Sequence, residues 1–108
     1  MFVLISKIFT PRGFNGITIF PFIILRNAKI KGDVKLINHE KIHIRQQLEL
    51  LIIPFFIWYG VEYLVRLVQF KNRNLAYRNI VFEREAYANE KDLGYLKQRS
   101  LWSFMKFY

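Results

Sequence analysis

Asn38-His39-Glu40-Lys41-Ile42-His43-Ile44-Arg45-Gln46-Gln47 carries both histidines of this 108-residue chain. They stand four positions apart with a glutamate directly after the first. On a helix four residues advance by about 400°, which puts His39 and His43 on one face about one turn apart, where both imidazoles can ligate one metal ion. Zinc suits the arrangement. Two neutral imidazoles fill two corners of a tetrahedron, and Glu40 can reach a water on the metal and act as general base. The bland alternative is a coincidental or relic pattern on a core helix.

The flanking residues supply the helix that this spacing needs. Asp33 is a capping residue, and Leu36, Ile37, Ile44, Leu48, Leu51 and Ile52 return at helical spacing, so a helix is expected over 34–52. Gln46, three positions after His43, is a candidate to support that ligand from behind. Pro54 ends or kinks this helix, and a nearly all-apolar second helix is expected over 55–70. Its uncharged run from Leu50 to Val61 is too short to cross a bilayer, which takes about twenty residues. It is either buried in the domain or lies in a membrane interface with Trp58, Tyr59 and Tyr63 at head-group level. Glu62 and Arg66 can pair at i, i+4. Lys71-Asn72-Arg73-Asn74 reads as a basic connection. Asn79 reads as the cap of a third helix over 80–99, which concentrates the acids Glu83, Glu85, Glu90 and Asp92.

Upstream, Pro11, Gly13, Asn15 and Gly16 make a turn-rich break, and Ile17 to Leu25 is β-branched and aromatic enough for a strand that Pro21 confines to an edge or bends. Met1 to Phe9 is its expected hairpin partner. It lacks the leading charge and the small-residue cleavage site of a signal peptide. The 1–33 region therefore reads as a small sheet, whose edge strand could hold an extended peptide beside the site helix or simply cover that helix. The fold class is α+β, a small N-terminal sheet or hairpin packed on three helices in one domain. The aromatic and basic tail from Leu101 to Tyr108 suits interface anchoring or packing back on the core.

Seventeen Lys and Arg against eight Asp and Glu give a net charge of +9, which calls for an anionic partner. With 53% hydrophobic and 18% aromatic residues and no compact basic cluster, an anionic membrane surface fits better than nucleic acid, which is not expected. The localisation that follows is membrane-associated or cytoplasmic. Cysteine is absent, so there are no disulfides or thiolate ligands. With no further histidine, a third zinc ligand has to be a carboxylate, and the acidic third helix is its best source. Glu83 and Glu85 project about 200° apart on a helix, so only one of them can face the histidines.

Together, His39-Glu40-x-x-His43 and Glu83-Arg84-Glu85-Ala86-Tyr87 resemble the two motifs of the gluzincin peptidases, in particular small or membrane-associated ones such as minigluzincins, HtpX-type peptidases and the CAAX prenyl endopeptidases. In those, the second motif runs Glu-x-x-Ala-Asp or Glu-x-Glu-Ala-Asp, and the resemblance covers roughly residues 36–93. It implies His39, His43 and Glu83 as ligands of Zn2+, with Glu85 in reserve, and Glu40 as the general base in hydrolysis of a peptide or protein substrate. The family's aspartate is replaced by Tyr87. That tyrosine is a candidate catalytic donor to the tetrahedral intermediate, as is Tyr77, and Glu90 can supply the support the aspartate would have given. The rival expectation is a non-catalytic basic protein of the membrane surface, or an interaction protein, with a structural or relic metal site.

Overall fold

A computed structural model describes residues 2–6, 10 and 15–108. Residues 16–25 fold as two strands rather than one. β1 (Phe2–Ile5), β2 (Gly16–Ile19) and β3 (Phe22–Leu25) form a sheet of order β1-β3-β2. β2 and β3 make the hairpin, Ile19 facing Phe22 across Phe20-Pro21, while β1 runs parallel to β3 on its other side. Thus the apolar N-terminus joins the sheet, but as a parallel neighbour and not as the hairpin partner. Proline acts here as a turn residue, because two residues suffice to reverse an antiparallel pair. The expected break at Pro11 and Gly13 falls outside the described residues, as do Met1 and residues 7–9 of the N-terminal stretch.

A 3-10 segment (Ala28–Gly32) leads into α1 (Val34–Glu49), whose Asp33 side chain accepts from the Leu36 N–H at 3.1 Å, the expected cap. The helix stops three residues earlier than its apolar spacing suggests. Leu51 and Ile52 take positive φ angles of 61° and 65°. The Ile53 N–H donates to the Leu51 carbonyl at 2.7 Å, closing a tight turn on Ile52 that is costly for a β-branched residue. α2 (Ile53–Phe70) then leaves at 113° to α1, with Pro54 in its first turn.

Three features of the second half depart from the sequence reading. Residues 73–78 form a short helix, α3 (Arg73–Arg78), capped by the Asn72 side chain on the Leu75 N–H, where a plain connection was expected. The third long helix is broken into α4 (Val81–Asn89) and α5 (Tyr95–Gln98). The break has a cause in α1, because the Asn38 amide lies 2.9–3.3 Å from the carbonyls of Asn89, Glu90 and Asp92 and captures groups that a continuing helix would have used. Finally, Asn79 does not cap α4; its Oδ1 accepts from Arg84 at 3.1 Å. Oε2 of buried Glu62 on α2 meets the Val81 N–H at 3.0 Å instead, placing a carboxylate at the positive end of α4. The expected Glu62–Arg66 pair forms as well, at 3.3 Å.

The core has two parts. Ile23, Leu25 and Ile44 join the sheet to one face of α1. Leu50, Phe55, Ile80, Val81, Phe82 and Phe104 join α2, α4 and the C-terminal 3-10 segment (Ser103–Phe107), so the tail packs back on the core. Described elements therefore number five helices and three strands, an α+β fold with the sheet at the N-terminus. No single described helix is long and apolar enough to cross a membrane, and α1 and α2, which together have that length and composition, are sharply bent.

Arg99 sits between Glu85 and Glu49, its Nε 2.5 Å from Glu85 and its Nη1 2.6 Å from Glu49, with no side-chain exposure. Burial alone would raise the Glu85 pKa, but hydrogen bonds from Arg99, Tyr95 and Gln46 outweigh it and hold the carboxyl below its ordinary value. Arg99→Met leaves that carboxylate buried and without its cation, so urea unfolding at neutral pH is expected to show a loss of about 3–5 kcal/mol. A lowered native pKa contributes stability that is present above the ordinary carboxylate value and fades as pH falls through the native one. The deficit of the variant should therefore narrow in acid.

Candidate metal centre

One face of α1 presents Asn38, His39, His43 and Gln46 away from the sheet, all buried. α4 lies along that face and turns Glu83 inward. The Nε2 atoms of His39 and His43 are 3.2 Å apart, and Oε1 of Glu83 lies 3.1 Å from the first and 3.0 Å from the second. The three atoms form a triangle capable of holding a metal ion. A tetrahedral ion with bonds of about 2.0–2.1 Å has ligand–ligand edges of about 3.3–3.4 Å, so the triangle needs to open by only a few tenths of an ångström.

The protons support the same conclusion. The Gln46 amide nitrogen is committed to the Phe82 carbonyl at 3.1 Å and to Glu85 at 2.9 Å, so its oxygen faces Nδ1 of His43 at 2.8 Å. Nδ1 must then carry hydrogen, and the neutral ring offers a lone pair at Nε2. Gln46 thus fixes the tautomer that a metal requires. Nδ1 of His39 is buried without a hydrogen-bond partner, and Oε2 of Glu90 lies 3.4 Å away. With a metal on Nε2, that Nδ1 would carry the hydrogen and face Glu90.

Glu83 and Glu85 separate as helical geometry requires. Glu85 points away from the histidines into the network with Arg99, Tyr95 and Gln46. The second oxygen of Glu83 accepts from the Tyr59 hydroxyl at 2.6 Å. That leaves Oε1 alone for the centre. Burial would raise the Glu83 pKa, but His43 and His39 lower it by more, so the group is an anion. Burial would likewise depress His43; the Glu83 charge and hydrogen bond, with Glu40 and Gln46, bring it up to about 9. In the absence of metal a proton therefore takes the place of the cation. Burial first, then Glu83, pushes Tyr59 and Tyr77 upward, so both remain hydroxyl donors.

Glu40 is buried beside the triangle, and its Oε2 accepts from the Thr18 hydroxyl on β2. The Gln47 side chain fixes β2 there, accepting from the Phe20 N–H at 2.7 Å and donating to the Thr18 carbonyl at 2.8 Å. A Cβ on Gly16 would meet the Leu25 side chain at 3.3 Å and stand 3.8 Å from the Glu40 carboxyl carbon, so the bare backbone lets the strand lie close. Tyr87 packs edge-on against the His39 ring with centroids 4.5 Å apart, and its hydroxyl is 3.0 Å from that of Tyr77. Burial raises its pKa too. The three atoms of the triangle and Glu40, Thr18, Tyr59, Tyr77 and Tyr87 border one cavity of about 850 Å³, walled by β2, α1, α2, α3 and α4.

The sequence reading names His39 and His43 and, through the resemblance, Glu83 with Glu85 in reserve; the structure brings Glu83 to the histidines, with Gln46 and Glu90 behind them. The sequence reading misses Thr18, Asn38 and Tyr59. Tyr59 could have been sought as a hydroxyl on an apolar helix, since a buried tyrosine needs a polar partner. No family model, curated protein or solved structure matches the chain, so the gluzincin resemblance rests on the residues of the two motifs.

Elemental analysis after equilibration with zinc should find one equivalent in wild type and in Glu85→Ala, and none in Glu83→Ala. Because His43 is protonated below about 9 without metal, binding should release its proton, and the apparent affinity should rise by about tenfold per pH unit from this group between pH 7 and 8. Titration calorimetry in buffers of different ionisation enthalpy checks the released proton directly.

Proposed function

We propose that the chain is a zinc-dependent peptidase-like hydrolase, with His39, His43 and Glu83 as ligands and Glu40 as general base. The observation that carries this reading is the triangle of three buried acceptor atoms, open to a cavity whose wall includes Glu40. Structural zinc sites are closed by four protein ligands, whereas catalytic ones keep a position for water. Among the described residues the group has three donors, and the next carboxylate, Glu90, faces the far nitrogen of His39 and does not complete the shell.

Zinc at this site would supply a Lewis acid and lower the pKa of a bound water toward about 7. Glu40, oriented by the Thr18 hydroxyl, would take the proton of the attacking water as the new bond to the carbonyl carbon forms, and deliver it to the nitrogen as the C–N bond breaks. Tyr59 would hold the Glu83 carboxylate in a one-oxygen geometry. A Tyr77 hydroxyl that donates to Tyr87 leaves the Tyr87 hydrogen for the developing oxyanion, and burial keeps both groups protonated for that task. β2 borders the cavity at the outer edge of the sheet, where Gln47 already holds the Thr18 carbonyl and the Phe20 N–H, so an extended peptide could add along its Gly16 end; β3, in the middle, is paired on both sides.

The test is a peptide-library cleavage screen of the zinc-loaded chain with Glu40→Gln beside it. Glu40→Gln should retain one equivalent of zinc and lose at least about a hundredfold in cleavage rate. Tyr59→Phe should weaken zinc binding by about 10–100-fold, as loss of a ligand's supporting hydrogen bond does. A zinc-loaded wild type that cleaves nothing in the library, or a Glu40→Gln variant as active as wild type, contradicts the reading.

A further inference from the structure

α2 is apolar on two sides, and only one of them is used. Its inner side carries Phe55 into the core, Tyr59 to Glu83 and Glu62 to the start of α4. On the outer side Ile53, Ile57, Val61, Leu64, Val65 and Val68 recur at helical spacing and stand open to solvent, from 56% for Val61 to 78% for Val68. No exposed residue between 53 and 68 has a polar side chain. A stripe of this kind on 18 residues, about 27 Å long, is far more than the scattered apolar exposure of an ordinary surface.

The charges around it indicate what covers it. Five of the eight acids, Glu40, Glu62, Glu83, Glu85 and Glu90, are buried, and Glu49 is half-buried against Arg99. Only Asp33 and Asp92 are exposed, whereas most lysines and arginines face solvent. The exterior is therefore more basic than the net charge of +9 already implies. Lys71, left-handed at the C-terminal cap of α2, continues from its end and is exposed, whereas Arg73 borders the metal-site cavity on the inner side. On the flank, Tyr108 stacks on Trp58 and borders a groove with Ile57, Val61 and Val65, and Trp102 packs edge-on to Trp58. A second copy would bring the same positive exterior against this one with little acid to offset it. A protein partner would need an apolar groove of matching length with an acidic border. Hydrocarbon makes no such demand, and anionic head groups suit the basic exterior.

We propose that the outer face of α2 docks on an anionic lipid surface, with the helix lying in the plane of the interface and Lys71 on the head groups. The docking leaves the inner side of α2 holding Glu83 and α4, so it is independent of whether the metal centre is catalytic.

The experiment is flotation of the zinc-equilibrated chain with vesicles of equimolar phosphatidylglycerol and phosphatidylcholine, and with phosphatidylcholine alone, at about 0.15 M salt, where surface charge is partly screened. Wild type should float with the anionic vesicles and much less with the neutral ones, and more salt should weaken it. Leu64→Glu, an exposed change, should reduce the bound fraction by roughly tenfold to a hundredfold, as expected for withdrawing one leucine from hydrocarbon. Its zinc content and far-ultraviolet circular dichroism should match wild type. Wild type that stays with the aqueous phase, equal flotation with neutral vesicles, or a Leu64→Glu variant that floats like wild type overturns the proposal. A chain that instead doubles its mass without vesicles, and is returned to monomer by Leu64→Glu, assigns the face to a second copy and overturns it as well.

Discussion

Two imidazole nitrogens and a carboxylate oxygen converge between α1 and α4, and as three bare acceptors they could not share a buried space without a proton or a metal ion among them. At 3.0–3.2 Å, Nε2 of His39, Nε2 of His43 and Oε1 of Glu83 would repel one another across a medium that screens poorly. The cation is either a proton, which the raised His43 pKa describes, or a metal ion, for which the donor set and the edge lengths are suited. Much of the surrounding polar structure holds these three atoms in place. Gln46 sets one tautomer, Glu90 faces the far nitrogen of the other histidine, and Tyr59 occupies the spare oxygen of the carboxylate.

That convergence also requires two helices distant in sequence to keep a fixed registry. Asn38, adjacent to the first histidine, seizes the carbonyls at the end of α4, and Glu62 of α2 holds its beginning. α4 is thus fixed at both ends by side chains from other helices rather than by its own caps. The same economy explains the charge pattern. Acids have been drawn inward as ligands, caps and ion-pair partners, and the cations that balance an ordinary surface are left outside.

His39, Glu40 and His43 are legible because their relation is local, since a spacing of four on a helix is visible in the string. Glu83 and Glu85 can be separated only as alternatives, because helical geometry says that one faces inward but not which; the neighbours of α4 decide. The α+β class follows from the β-branched N-terminus and the helical periodicity after it. Where the reading departs, the deciding partner lies far away in sequence. Asn38 breaks the third helix from fifty-odd residues upstream, Glu62 displaces Asn79 as the cap, and α3 has too few apolar residues to announce itself. Thr18 and Tyr59 belong to a strand and an apolar helix by pattern, and only tertiary packing brings their hydroxyls to Glu40 and Glu83.

X-ray absorption at the zinc edge, on the wild-type chain loaded with one equivalent and passed through a desalting column, tests the convergence most directly. The geometry predicts a light-atom shell at about 2.0–2.1 Å with the outer-shell scattering of two imidazoles and no sulfur. Loss of the zinc on desalting, or a spectrum with one imidazole or none, would contradict the assignment of His39, His43 and Glu83 to a single metal ion.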